Sequence, residues 1–244
     1  MAESDVFPLT VGIVLFDDVE VLDFCGPFEV FAVTRPLAAD AGPAGGAQQL
    51  FHVLTLAAPR AAPTGGSGET PAAADGRAAR EVRCRNGLRV TADLAIGQDT
   101  VPPLDVLVVP GGWGTRREVR NASLIEWLRA AAPATRHVTA SVCTGAFLLA
   151  EAGLLDGRAA TTHWSSLVRL RESYPGVRVA GVSAGEPVRP YGIRFVDEGR
   201  VVTSAGISAG IDMALHLVAR LAGADVARQT AEQMEYRWTS AAGG

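Results

Sequence analysis

Short runs of apolar, β-branched residues alternate along this chain with longer segments whose apolar positions recur every three or four residues. Thr10–Phe16 (TVGIVLF) predicts a first strand, followed by Asp17, Asp18 and a helical pattern over Val21–Val33. Phe51–Ala57 and Leu104–Val109 read as further buried strands, Ser123–Ala132 as a helix, and His137–Val142 as a strand that ends at Cys143. Beyond it the pattern predicts a strand near Ala159–Thr162, a helix near Ser165–Ser173, a strand over Arg200–Ser204, and helices over Ser208–Leu221 and Asp225–Tyr236. Asn86-Gly87, set between short alternating runs in Val82–Thr91, signals a hairpin, and Asp197–Gly199 signals a second one. Strands that alternate with helices imply an α/β fold, a single domain over residues 1–244 whose mostly parallel sheet is sandwiched by helices. Ligands of such sheets bind beyond the carboxyl ends of the strands. Asp17 to Asp23, the Gly111-Gly112 loop and Cys143 all follow strands and are expected to meet there.

Composition narrows the picture. With 244 residues, 48% of them hydrophobic, the chain can bury a substantial core. A net charge of −4 with no clustered basic face points away from nucleic acid. No run approaches the roughly 20 apolar residues that span a bilayer, so no membrane partner is expected. The acidic start MAESDVFPLT does not read as a signal peptide. Three cysteines, Cys25, Cys84 and Cys143, without CxxC spacing suit a reducing cytoplasm better than a disulfide framework. Ala58–Ala79 is so rich in Ala, Pro, Gly, Ser and Thr that it reads as a flexible surface insert.

HVTASVCTGAFLLAEAGLL, His137 to Leu155, carries the most chemistry. A cysteine at a strand-to-helix junction sits in a tight turn beside the free N–H groups of the helix, whose partial positive charge favours thiolate and a developing substrate anion. A buried core cysteine is the alternative reading. Gly112 and Thr144 are candidate backbone N–H donors toward negative charge. The Thr144 hydroxyl could equally cap the helix. His52, His137 and His216 lie within strand or helix patterns and show no metal spacing, so no metal site is expected.

LFDDVEVLDFCGPFEVF, DVLVVPGGWG, SVCTGAFLLAEAGLLDGRAATTHW and TSAGISAGIDMALHLV together resemble the ThiJ/PfpI superfamily, whose fold is flavodoxin-like and class I glutamine amidotransferase-like. Within it the blocks look most like isonitrile hydratases and the sensor halves of AraC-type regulators. For a hydratase, the resemblance implies cysteine nucleophilic catalysis with an aspartate acid/base and the threonine after the cysteine, which fall on Asp23, Cys143 and Thr144. It implies a small-molecule isonitrile as substrate, an N-substituted formamide as product, no cofactor, and a homodimer. The peptidase branch places histidine directly after the cysteine, where this chain has Thr144. His163, in ATTHW, resembles a histidine near the superfamily's pocket; a strand-end structural histidine is the other reading. Trp113 and Trp164 are candidate walls for the substrate's R group, with core packing as the alternative.

Two other functions compete. A ligand- or redox-sensing module carries the same blocks, although the sequence ends at Gly244 without paired helix-turn-helix units. A glyoxalase- or deglycase-like enzyme would set a glutamate against the cysteine, and Glu20 and Glu29 are available. The carboxyl nearest the Cys143 sulfur separates these: Asp23 favours isonitrile hydration, and Glu20 favours carbonyl or redox-sensor chemistry.

Overall fold

The computed structural model describes residues 7–37, 48–60, 79–182, 188 and 192–239. Most of the proposed surface insert, residues 61–78, lies outside the described residues.

The chain opens with β1 (Leu9–Leu15), α1 (Val21–Val33) and β2 (Phe51–Ala57). The hairpin β3 (Glu81–Arg83) and β4 (Arg89–Thr91) turns through Asn86, whose φ of 64° is a left-handed conformation that Asn tolerates. Then come β5 (Leu94–Ala95), β6 (Val106–Val109), α2 (Thr115–Glu118) and α3 (Ala122–Ala134). Asn121 caps α3 by accepting the Leu124 N–H, which starts that helix a residue before the apolar pattern does. β7 (Val138–Val142) runs into α4 (Gly145–Glu151), followed by β8 (Ala159–Ala160), α5 (Leu167–Ser173) and β9 (Arg178–Val179). β10 (Phe195–Asp197), β11 (Val201–Ser204), α6 (Ala209–Ala222) and α7 (Ala224–Gln233) complete it.

Seven described strands form one sheet in the order β10-β11-β7-β6-β1-β2-β5. Neighbours are parallel throughout, except that β10 runs antiparallel to β11 across the second predicted hairpin. Every residue of β6, β7 and β11 is buried. That explains why these strands read as continuous apolar runs instead of alternating ones: helices cover both faces. α1, α6 and α7 pack on one another as one layer, and α2, α3 and α4 form the other. The fold is thus the expected helix-flanked, mostly parallel α/β sheet. The strand predicted near Ala159 exists, but it pairs with β9 in a separate two-stranded sheet.

β1, β6, β7 and β11 are adjacent, so the segments leaving their carboxyl ends converge. These segments are the β1–α1 turn, the Pro110–Gly114 loop, Cys143 and Ala205-Gly206. An antiparallel bridge between Val19 and Gly112, with the Glu20 N–H donating to the Gly111 carbonyl at 2.9 Å, stitches two of them together. Among the described residues no helix is long and apolar enough to cross a membrane.

Candidate active site

Cys143 follows β7 with φ of 55°, a left-handed backbone that a non-glycine residue holds only where its surroundings over-determine it. Here they do so at both backbone groups. Its N–H donates to the Ser204 carbonyl at 3.1 Å, and its carbonyl accepts the Thr162 hydroxyl at 2.6 Å. The elbow turns the thiol toward α1, where Asp23, the third residue of that helix, is fully buried and shares a hydrogen bond with the sulfur.

Burial pushes the Asp23 carboxyl up to about 8, helped by the charge of Glu20; hydrogen bonds from Cys143 and Gly111 and the charge of Arg85 offset only part of it. Oδ2 accepts the Gly111 N–H at 3.1 Å, whereas Oδ1 is buried with no oxygen or nitrogen partner among the described residues. The thiol is likewise pushed well above its ordinary value by burial and then by Asp23, against the opposing Thr144 N–H. This corrects the expectation that the helix N-terminus holds the sulfur as a thiolate. Cys143 is only 7% exposed, and desolvation outweighs the helix N-terminus. At neutral pH the resting pair is a thiol beside a carboxylic acid.

Asp23, Cys143 and Thr144 are therefore brought together, with both the N–H and the hydroxyl of Thr144 beside the sulfur. Its hydroxyl does not cap α4. Instead Oγ1 accepts the Gly112 N–H at 3.0 Å, lies 3.2 Å from the Gly112 carbonyl oxygen to which it donates, and sits 3.1 Å from Thr115 Oγ1. The Gly112 N–H is thus directed at Thr144, away from any developing substrate charge, while the Thr144 N–H faces the sulfur. Gly111 is the neighbour that serves the acid. A methyl group on it would lie 2.5 Å from Thr144 N and 2.9 Å from Asp23 Oδ2, so only glycine lets this loop between the two.

A cavity of about 420 Å³ opens beside the elbow, lined by Leu22, His163, Trp164, Ile193, Arg194 and Gly206 among others. Gly206 is the septum: a methyl group there would meet the Cys143 sulfur at 2.7 Å and His163 Cδ2 at 2.9 Å. His163 Nδ1 accepts the Ser165 N–H at 3.3 Å and lies 2.8 Å from Ser165 Oγ. Burial lowers its pKa, so at neutral pH the ring is uncharged and presents Nε2–H. Trp164 is a wall of the cavity as expected, but Trp113 is not. Its ring is 55% exposed, with the Arg116 guanidinium carbon 4.4 Å and that of Arg85 5.5 Å from its centroid, and these cation–π contacts hold it on the outer surface.

Glu20 does not reach the sulfur; its carboxylate is held by Arg85 at 2.7 Å. Cys25 is half-buried, Cys84 is buried, and both are free thiols. Among the described residues no group of three His, Cys, Asp or Glu side chains is placed to hold a metal ion. Sequence reasoning missed Gly111 as the donor to Asp23, Thr115 behind Thr144, and Leu22 and Arg194 in the cavity. Only Gly111 carried a readable signal, in the PGGWG loop.

An acid-backed cysteine on a β-strand elbow defines the class, and residues 10–220 match the DJ-1/PfpI family, to which the chain belongs. It is 31% identical over 228 residues to an isonitrile hydratase of Pseudomonas putida, covering 93% of this chain and 78% of that protein. It is also 30% identical over 229 residues to the HTH-type transcriptional regulator GbdR of Pseudomonas aeruginosa, covering 94% of this chain but only 51% of the regulator. The crystal structure of a ThiJ/PfpI family protein from Pseudomonas syringae superimposes with a TM-score of 0.69 at 23% identity, covering 98% of this chain and 80% of that one. That likeness bears on the fold alone.

Proposed function

We propose that this protein hydrates a small isonitrile to an N-substituted formamide, with Cys143 as nucleophile and Asp23 as proton carrier. The observation that carries the reading is the identity of the carboxyl at the sulfur: Asp23 bonds the thiol, while Glu20 is committed to Arg85. The isonitrile carbon accepts both a nucleophile and a proton, and a thiol beside a carboxylic acid supplies both without a resting thiolate. Asp23 protonates that carbon as sulfur attacks it, and the thiol proton passes to the Asp23 carboxylate, leaving a thioimidate and a neutral acid. Asp23 then protonates the imine nitrogen and takes a proton from a water that adds to the carbon. Collapse of the adduct breaks the C–S bond, returns a proton to sulfur through Asp23 and releases the formamide. The Thr144 N–H steadies the sulfur, and Trp164 and Leu22 form the apolar wall for the R group.

The test is consumption of cyclohexyl isocyanide by protein whose Cys143 is demonstrably reduced, with methylglyoxal assayed in parallel. Formamide production that vanishes in Cys143→Ala supports the reading. Consumption of methylglyoxal alone replaces it with carbonyl chemistry. Inactivity toward both favours the second reading, a ligand-sensing module, to which the 30% identity to the regulator lends support.

A further inference from the structure

On the other side of the elbow loop lies a cleft of about 280 Å³ between α2 and the α4–α5 pair, lined by Arg116, Arg120, Arg169, Thr115, Phe147 and Ser173 among others. Three arginines therefore line one space. The 22 lysine-plus-arginine positions of this chain are all arginine, and those that pair with carboxylates include Arg80, Arg85, Arg89, Arg117, Arg136, Arg178, Arg194, Arg220 and Arg228. Arg116, Arg120 and Arg169 have no ion-pair partner among the described residues. The carboxylate of Glu151 is engaged by the Tyr174 hydroxyl at 2.8 Å.

Solvation of a surface patch does not account for Arg169. Its guanidinium carbon lies 4.3 Å from the centroid of the Phe147 ring, and its Nε is buried with no acceptor among the described residues. Stacking occupies the face of the guanidinium and leaves only its edge to bond. Burial, and next the charge of Arg116, lower the Arg169 pKa, so the two cations act on each other without a compensating carboxylate. The Thr115 hydroxyl is spent on Gly112 and Thr144. Ser173 and the edges of the three arginines remain as donors for a ligand.

We propose that this cleft binds a phosphate group of a small molecule, at a site separate from the Cys143 cavity. A tetrahedral dianion offers acceptors in several directions and can engage more than one guanidinium, including the Arg169 edge; a monocarboxylate engages one and leaves the others uncompensated.

The test is calorimetric titration of the full chain with inorganic phosphate, with sodium chloride and sodium acetate at matched ionic strength as controls. One saturable phosphate site is expected, with neither control saturating. Affinity falls about tenfold or more in Arg169→Gln and in Arg116→Gln, the loss typical of one charge-assisted hydrogen-bonding partner. Arg116 is exposed, so its variant keeps the test sharp should Arg169→Gln unfold. Cys143→Ala binds phosphate as the wild type does. No saturation by phosphate, equal saturation by acetate, or unchanged affinity in the folded arginine variants overturns the site. So does loss of binding in Cys143→Ala.

Discussion

Asp23 and Asp197 each bond a titratable side chain, yet their surroundings drive them in opposite directions. Asp23 lies at the start of α1 with one backbone N–H and the Cys143 thiol for partners, and burial pushes it up to about 8. Asp197 ends β10, and although burial is the largest single influence and raises it, bonds from His216 and the Gly199 N–H and the charge of Arg220 outweigh that and lower it. His216 Nε2 approaches Asp197 to 2.6 Å and Arg220 to 2.9 Å, so this carboxylate clamps the β10–β11 hairpin to α6. A carboxyl given cations becomes a structural anion. One bonded only by a thiol and an amide holds a proton, as the proposed hydration requires.

The comparison breaks most sharply at the sulfur. Cys143→Ala removes the proposed nucleophile but little volume, so isocyanide turnover should fall on the order of a thousandfold or more with an unchanged circular-dichroism spectrum. Activity that survives would leave Asp23 an ordinary buried acid. Asp23→Asn comes next: it preserves shape while abolishing proton transfer, and a loss of about a hundredfold or more in kcat is expected. In wild type the rate declines as pH rises through about 8, where the acid form of Asp23 is lost. A flat rate between pH 7 and 9 would remove Asp23 from the chemistry.

Stability gives the same contrast without any substrate. Asp23 holds its proton in the folded chain up to about 8, but an unfolded aspartate ionises near 3.8, so its contribution is complete below that lower value and drains away between the two. Denaturant titrations from pH 4 to 8 should therefore show Asp23→Asn gaining on wild type by about 1 kcal/mol per pH unit, levelling above pH 8. A constant difference over that range would mean that Asp23 is ionised in the fold.

Much of the architecture was legible because burial on both faces writes parallel strands as unbroken apolar runs. α1 and β2 fall on the predicted residues, Val21–Val33 and Phe51–Ala57. β5 is two residues long and α2 is the polar stretch TRRE, so neither offers a period to detect. The site was legible as far as its segments: β1, β6 and β7 deliver Asp23, Gly111 and Cys143 to one edge. What local pattern could not supply were choices made by distant partners. Arg85, 65 residues from Glu20, neutralises the competing carboxylate, and Arg85 with Arg116 pulls Trp113 to the surface. The rotamer of Thr144 claims the Gly112 N–H, and burial overrides the helix N-terminus at Cys143.

The smallest effect falls on Asp197, and its sign is the informative part. Its folded pKa is depressed, so its stabilisation is present above the unfolded value of 3.8 and is lost as pH falls through the folded one. Asp197→Asn should cost about 1 kcal/mol at pH 7, since the carboxylate is only partly shielded from water, and the cost should fade as wild type is taken below pH 4. Isocyanide turnover should not change, because Asp197 holds a hairpin and meets no reacting atom. The two Asn variants therefore diverge from wild type in opposite senses as pH rises, one becoming relatively more stable and the other less. Slopes of the same sign would mean that Asp23, like Asp197, is a carboxylate held by its neighbours, and the proton store beside Cys143 would be lost with it.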